Sequence, residues 1–489
     1  MSISFNNIPV TVRVPGHYIE IVPNQSQLGL FGLPTQILVI GQMRASGTLT
    51  PGAPVQVTTA GQAATLAGAG SMLAQMAAAV LAGCQGALPV YIAGVADTAA
   101  GVAATGTVTI GGAATGAGTL ALYVGGRAVQ TLVNAGDSAA TIAANMLLAL
   151  AQTVDLPASA TINGAAVTLT ANHKGLCGND IDVRVNYNTG DATPAGITVT
   201  VTPLSGGTAN PSITPVLDAI GGAWFTDIVM PWTDAVNLGS LESFLATEYG
   251  PLVMKDGLAW AAIRGTFGTC AALGQSRNSP HVSILGVPAS PSLTWEWAAS
   301  VAGVAAYYLS IDPARPLQTL PLPVVLAPAL ADRFTWEERN LLLYEGVSTF
   351  DVDGGGSVSI ERCITTYQTG AFGAVDTSYL NVETLRTVAY LRYDTQCYLS
   401  VMFPRYKLAD DGTVFGVGQA IVTPKTIKGA LINRFAAWQD AGLVENPTAF
   451  VSGLVVQRNG SDPCRVDALI PPDIVAQLRV IAAQISFSQ

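Results

Sequence analysis

Apolar residues in the middle of the chain fall in short runs with almost no polar interruption, and helical stretches separate these runs. Runs of this kind are typical of parallel strands that are covered by helices on both faces of a sheet. The predicted strands are 36–42, 88–95, 225–230, 258–264 and 281–287, and the predicted helices lie near 71–82, 236–248 and 293–309. The pattern predicts a discontinuous α/β middle domain over 23–96 and 211–334.

Between these two parts, residues 97–210 have a different pattern, rich in Gly, Ala, Thr and Val. Apolar and polar residues alternate at 107–110, 119–124, 166–170, 181–185 and 197–201, and one helix is predicted near 138–151. Alternation with closely spaced Gly-Gly and Asn-Gly turn signals is typical of antiparallel strands. We therefore predict an inserted, mainly antiparallel β-rich domain that leaves and re-enters its host at one surface loop.

Residues 335–489 predict an α+β C-terminal domain. Helices are expected at 335–345, 381–402 and 424–441, and a hairpin at 347–352 and 357–364. Gly346 is placed to end the first helix in a left-handed conformation. The last helix has Thr423 as its N-cap, Pro424 at its first position and Gly442 after its end, all preferred placements.

The helix at 424–441 has one apolar stripe with charged flanks. At about 100° per residue the stripe has Lys425 and Lys428 on one flank and Arg434 on the other. The stripe consists of Ile427, Leu431, Phe435 and Trp438. One interpretation is a core helix with solvated flanks, and the other is that the lysine flank meets an acidic partner surface.

Both ends of the chain alternate like strands but have no neighbouring hairpin partner. The alternating apolar positions are Val10, Val12 and Val14 in a short N-terminal arm, 1–22, and Ile481, Ala483, Ile485 and Phe487 at the other end. Unpaired strands must be covered or must join another sheet. If they join a neighbouring subunit, the contact is strand addition, and a heterologous contact of this kind propagates into a ring or a helix.

Composition excludes several classes of function. Charged residues make up 11% of the chain and the net charge is −10, which argues against a nucleic-acid partner. The most apolar stretch, 72–95, is built from Ala and broken by Gly, Gln and Pro, so we expect no membrane insertion. The first residues have no cationic and apolar leader pattern, which indicates synthesis and folding in cytoplasm.

Residues with catalytic or metal-binding potential are sparse. The three histidines, His17, His173 and His281, lie in different regions, and the six cysteines have no metal-ligand spacing and are expected to be small buried side chains. A calcium-like loop begins at Asp351, but Arg362 stands where a bidentate Glu is needed. We expect no catalytic residue, no metal and no cofactor.

Three segments resemble the contractile tail sheath proteins of Mu-like bacteriophages. They are SFNNIPVTVRVPGHYIEI at the start, ERCITTYQTGAFGAVDTSYLNVETLRTVAYLRYD, and TPKTIKGALINRFAAWQDAGLVEN. The block at 381–394 is the most specific, and LALYVGGRAVQTLV and CGNDIDVRV resemble the protruding domain of the same proteins.

The resemblance implies a non-enzymatic subunit that polymerises with itself as a six-fold helical sheath around a tail tube protein. It also implies baseplate and tail terminator partners, location in the virion tail after assembly in host cytoplasm, and contraction that drives the tube through the host envelope. Terminal strands would complete the C-terminal sheet of neighbouring subunits, and Lys425 and Lys428 would face the tube. A sheath without residues 100–208 would still be expected to assemble.

Two other classes remain as alternatives. The middle domain alone would suit an α/β enzyme with a β-rich insertion, although the sequence has no phosphate-binding loop and no nucleophile–base pair. Another virion structural protein, such as a capsid or adhesin subunit, would share the low charge. An enzyme should form a small defined oligomer, whereas a sheath subunit should form tubes or wait for a template.

Overall fold

The computed structural model describes residues 13–18, 29–416 and 418–487 of the chain. These residues divide into two units. The larger unit comprises Leu33–Tyr390 and Ala476–Gln489, and the smaller comprises Met1–Gly32 and Leu391–Val475. Within the described ranges, no helix is both long and apolar enough to cross a membrane.

The larger unit begins with three strands and two helices. These elements are β1 (Ile37–Gln42), β2 (Val55–Val57), α1 (Ala60–Ala67), α2 (Met72–Gly83) and β3 (Val90–Val95). Every residue of β1 is buried. The prediction of a fully covered strand here is confirmed, whereas β2 and α1 were not predicted.

The next segment forms two antiparallel sheets with one helix. Its elements are β4 (Ala103–Gly112), β5 (Gly118–Val124), β6 (Arg127–Val133), α3 (Ala139–Gln152), β7 (Ala158–Asn163), β8 (Ala166–Lys174), β9 (Val183–Val185) and β10 (Ile197–Ser205). One sheet has the order β10-β4-β8-β7 and the other β6-β5-β9. Buried and half-buried residues alternate strictly along β8, so one face of its sheet is covered.

The chain then returns to the first sheet. This part contains α4 (Thr214–Ile220), β11 (Asp227–Val229), α5 (Ala235–Tyr249), β12 (Leu258–Arg264), α6 (Phe267–Gln275), β13 (Val282–Val287) and α7 (Thr294–Ile311). The completed six-stranded sheet has the order β13-β12-β11-β1-β3-β2. All its pairings are parallel except that of β2 with β3. The predicted mostly parallel sheet is confirmed.

Helices α2 and α7 approach closely through two glycines. A Cβ on Gly83 would lie 2.8 Å from the Val304 nitrogen, and one on Gly303 would lie 2.6 Å from the Val80 oxygen. No side chain fits at such distances, so glycine is required on both helices. This close contact covers the sheet with two helices that are almost entirely buried.

The larger unit continues with α8 (Trp336–Tyr344), β14 (Thr349–Val352) and β15 (Val358–Arg362). A reciprocal pair of hydrogen bonds between Thr335 and Glu338 caps the start of α8. Gly346 follows the helix with φ of +74°, as predicted. The antiparallel β14–β15 pair confirms the predicted hairpin. Helix α9 (Val382–Met402) begins in the larger unit, and its residues from Leu391 onward belong to the smaller one.

The smaller unit contains short strands around α10. The elements are β16 (Lys407–Leu408), β17 (Ile421–Val422), α10 (Pro424–Asp440), β18 (Val444–Glu445), α11 (Pro447–Gly453), β19 (Val455–Arg458), β20 (Val466–Leu469) and β21 (Asp473–Ile474). Strands β18 and β21 pair antiparallel, as do β19 and β20. The Phe435 and Phe450 rings stack with centroids 4.1 Å apart, which joins α10 to α11.

Two expectations about side chains are wrong. Cys464 is exposed and Cys177 and Cys397 are half-buried, so not all six cysteines are buried. Cys464 lies in the polar connection between β19 and β20, where no apolar layer covers it. Arg434, expected on a solvated flank of α10, is only 2% exposed because it has a buried carboxylate partner.

Candidate intersubunit segments

The C-terminal segment, described from 480 to 487, belongs to no strand of the described chain. Ile481, Ile485 and Phe487 are 79%, 91% and 81% exposed, and Ala483 is also exposed. The described part of this segment, up to Phe487, does not form the predicted half-buried strand. Contiguous exposed apolar residues in a soluble protein mark a surface that is covered by something else.

Only part of the predicted N-terminal strand can be placed. Val10 and Val12 lie outside the described residues. Val14 is 70% exposed, and its carbonyl accepts a hydrogen bond from the Tyr18 hydroxyl at 3.1 Å. The role of these three valines in strand exchange stays a prediction.

The C-terminal segment is attached to the larger unit just before its exposed part begins. The Gln477 amide donates to the Ala314 carbonyl at 3.5 Å, and Gln318 donates to the Leu478 carbonyl at 3.3 Å. Next, Arg479 Nη2 lies 2.8 Å from Glu383 Oε2. Val480 and the residues up to Phe487 are all exposed, so among the described residues Arg479 is the last one that is attached to the larger unit.

Glu383 is completely buried in the first turn of α9. A carboxylate is favourable there because the free N–H groups at a helix start carry partial positive charge. Its Oε1 accepts a hydrogen bond from the Leu317 amide at 3.0 Å. Glu383 therefore connects the start of α9, the segment before β14 and the root of the C-terminal segment.

Lys425 and Lys428 occupy the first turns of α10. Lys425 is exposed and Lys428 half-buried. The Lys425 amide donates to Asp411 at 3.0 Å, and hydrogen bonds from the Thr423 side chain and this amide lower the pKa of the Asp411 carboxyl. In the described part of the chain neither lysine ammonium has an ion-pair partner, which leaves both charges available to another molecule.

Asp394 is the centre of a buried polar cluster in the smaller unit. It accepts hydrogen bonds from two guanidinium nitrogens of Arg434, from Trp438 Nε1 at 2.6 Å and from the Phe31 amide at 2.8 Å. The Arg434 guanidinium carbon also lies 4.7 Å from the Tyr398 ring centroid. This cluster fixes the residues that follow the N-terminal arm to α9 and α10.

A second cluster fixes the first half of α9 to the parallel sheet. Arg386 Nη2 donates to Asp227 Oδ1 at 2.6 Å, and Trp260 Nε1 donates to the same oxygen at 2.9 Å. The Thr226 hydroxyl donates to the other oxygen of Asp227 at 2.9 Å. The block at 381–394 thus contains three charged residues with buried partners, a role that sequence reasoning missed because the partners are distant in the chain.

The β19–β20 hairpin is a candidate acceptor for a further strand. In the described residues it pairs with no third strand. Val455 and Leu469 are directly opposite each other and are both exposed. A two-stranded hairpin has little stability alone and gains from added strands.

The inserted sheets are joined to the parallel-sheet region by charged side chains, of which Glu296 is buried. Arg127 donates to both oxygens of Glu296, at 2.9 and 2.6 Å, and to Asp155 at 3.1 Å. Burial raises the pKa of Glu296, and Arg127 opposes that shift. His173 Nε2 accepts the Met72 amide at 3.0 Å and thereby caps α2.

The side chains that usually bind metals are scattered in the described residues. In the ranges that the structure describes, no group of His, Cys, Asp or Glu could hold a metal ion. The calcium-like loop has a simpler role, since Asp353 Oδ1 accepts the Gly355 and Ser357 amides, each at 2.8 Å, and so stabilises the β14–β15 turn.

Known proteins match this chain over its whole length. A model of the phage tail sheath protein central domain matches residues 206–366, and one of the phage tail sheath C-terminal domain matches 374–488. The chain is 40% identical over 490 residues to the Mu-like prophage FluMu tail sheath protein of Haemophilus influenzae, with 100% of both chains covered.

Solved structures with a similar fold are more distant in sequence. The chain is 11% identical to a chain of an extracellular contractile injection system, a PVC sheath complex in the contracted state, with TM-score 0.50 and coverage of 98% and 99%. It is 16% identical to a crystallised sheath tail protein from Desulfitobacterium hafniense, with TM-score 0.49 and coverage of 94% and 100%.

Proposed function

The chain belongs to the phage tail sheath proteins, and we propose that it acts by donating its terminal segments to neighbouring copies of itself. It is a contractile tail sheath protein, a structural component of the virion tail. Membership of this family makes it a structural protein rather than an enzyme. The alternative of an α/β enzyme with an insertion is thereby wrong.

The assembly that we propose is a six-fold helical polymer around a tail tube protein, bounded by baseplate and tail terminator proteins. The subunits are made in host cytoplasm and polymerise there. Contraction drives the tube through the host envelope because the same folded subunit has a second packing of lower free energy, separated by a barrier.

The observation that carries the proposal is the exposed alternation at the C-terminus. Ile481, Ala483, Ile485 and Phe487 are alternate residues of an exposed segment and would share one face of a strand, whereas the β19–β20 hairpin pairs with no third strand among the described residues. Addition of a neighbour's segment would satisfy backbone groups on both partners and cover both apolar surfaces. The arm with Val10, Val12 and Val14 would act in the same way.

The proposed domain division assigns a place to each region. The arm is 1–22, the middle domain 23–96 and 211–334, the protruding domain 97–210 and the C-terminal sheath core 335–489. Deletion of 100–208 with a short linker should leave assembly intact. The buried Glu296 loses its partner Arg127 in that deletion, so Glu296→Gln is included to avoid an unpaired charge.

Negative-stain electron microscopy of the purified chain tests the donation. Full-length protein should form hollow cylinders, and protein truncated before Ile481 should not. A matched pair refines the result, since Ile481→Ser with Ile485→Ser should prevent assembly, whereas Ala482→Ser with Gln484→Ser should not. Cylinders from the truncated chain would reject the C-terminal donation.

The tube-facing role of α10 has its own test. Neither lysine ammonium forms an ion pair with another described residue, so both can contact an acidic tube surface. Lys425→Glu with Lys428→Glu should weaken assembly on purified tubes, while Lys407→Glu, on another exposed residue of the smaller unit, should not. Equal assembly of both variants would remove the idea.

A further inference from the structure

An ion pair between Arg479 and Glu383 lies immediately before the exposed C-terminal segment, 480–487, and it has few hydrogen bonds. Arg479 and Glu383 are in contact at 2.8 Å, yet no nitrogen of the guanidinium has a hydrogen-bond partner among the described residues, and neither has Glu383 Oε2. A buried charge that lacks hydrogen bonds costs free energy that Coulomb attraction alone repays incompletely. The ion pair therefore stabilises the attachment of the C-terminal segment less than the 2.8 Å distance between Arg479 and Glu383 suggests.

A like charge weakens the pair further. Burial and the positive charge of Arg479 lower the pKa of the Arg362 guanidinium, and Glu383 partly offsets them. Arg362 donates to Asn381 at 2.9 Å, but its Nε has no partner in the part of the chain that the structure describes. The like charges of Arg362 and Arg479 thus oppose each other beside Glu383.

We propose that the Arg479–Glu383 ion pair is a releasable anchor that sets the free length of the donated segment. When the pair is closed, the segment leaves the subunit at Val480. When it opens, the long hydrogen bonds of Gln477 and Leu478 open with it, and the nearest attachment left among the described residues is the Val475 amide, which donates to Leu443 at 3.2 Å.

Opening lengthens the free segment by four residues, from Val480 back to Ala476, or about 13 Å of extended chain. This inference rests on the proposed donation of the segment. A tether of two lengths would let subunits separate or slide during contraction while the donated strand stays paired in the neighbour.

Trypsin provides a direct measurement because Arg479 is itself a cleavage site. The protease reads the population of the open anchor when opening and closing are fast relative to cleavage. The measured quantity is the rate of release of the peptide 480–489 from the full-length chain, followed by mass spectrometry.

Glu383→Gln should accelerate release by about fivefold, because it removes the carboxylate that is paired with Arg479. The glutamine oxygen can still accept the Leu317 amide, so the start of α9 is preserved. Arg362→Gln should slow release several-fold, because it removes the competing charge. Glu337→Gln, an exposed first-turn residue of α8, is the matched control and should change nothing.

The opposite signs separate an electrostatic anchor from general loosening. Unchanged release in Glu383→Gln, or faster release in both variants, would overturn the anchor. Glu383→Asp, which keeps the charge but shortens its reach, should give an intermediate rate if the glutamine variant folds poorly. Truncation before Ile481 tests donation separately, since it reports cylinders rather than cleavage.

Discussion

Two buried carboxylates on α9 have the same charge and the same burial but opposite surroundings. Asp394 accepts hydrogen bonds from Arg434, Trp438 and the Phe31 amide. Glu383 accepts one amide and faces an arginine that makes no hydrogen bond to it. Both carboxylates have an arginine partner, so the ion pair alone does not distinguish them. The number of hydrogen-bond donors to the carboxylate distinguishes a fixed connection from one that can open.

The largest effect is expected at the fixed connection. Asp394→Asn should lower the free energy of unfolding of the smaller unit by about 3–5 kcal/mol, because the buried Arg434 guanidinium loses the carboxylate that accepts its hydrogen bonds. Urea denaturation followed by tryptophan fluorescence measures it. Asp410→Asn breaks an exposed ion pair with Arg458 and should cost under about 1 kcal/mol. Similar losses in both variants would contradict the comparison.

The contribution of a single hydrogen-bond donor to Asp394 can be measured separately. Trp438→Phe keeps an aromatic ring in the α10 stripe but removes the N–H that reaches Asp394 at 2.6 Å. The expected loss is about 1.5–3 kcal/mol, as for hydrogen bonds to charged groups. Denaturation followed by circular dichroism avoids the changed fluorescence. A loss below the effect of Asp410→Asn would show that this donor is dispensable.

The sequence predicted the helices and strands of the chain better than it predicted the partners of the charged side chains. The apolar runs identified the parallel strands because these strands are buried on both faces, and the Thr423 cap and stripe located α10. Arg434 was misplaced because helical angle assigns a face but not a partner, and Asp394 comes from another helix. The anchor of Arg479 was missed for the same reason, and β2, α1 and α6 were missed because short elements give weak periodicity.

Asp180 is a third carboxylate, and its surroundings make the stability of the protein depend on pH. Arg264 donates to the Asp180 backbone oxygen and to the Asp182 carboxylate. Burial raises the pKa of Asp180 to about 6 from an ordinary 3.8, and Arg264 opposes the shift. A raised carboxyl pKa contributes stability that is complete below pH 3.8 and is lost as the pH rises through about 6.

Asp180→Asn should therefore be more stable than the natural chain by about 1–2 kcal/mol above pH 7, with the gain disappearing near pH 4. Urea midpoints at both pH values measure the difference. Asp182→Asn, which loses Arg264 and Arg184 as partners, should be destabilised at neutral pH instead. A gain of equal size at both pH values would exclude titration of Asp180 as its cause.

The smallest effect on global stability is expected at the releasable anchor. Glu383→Gln removes the countercharge of Arg479, yet Arg479 lies near the chain end and can swing into water with its segment. The free energy lost is then limited to the cost of detaching a few residues, under about 1 kcal/mol, although trypsin release increases strongly. The Arg434 side chain cannot move into water in this way, because it is buried and belongs to the middle of α10. A loss as large as that of Asp394→Asn would mean that both carboxylates are fixed connections.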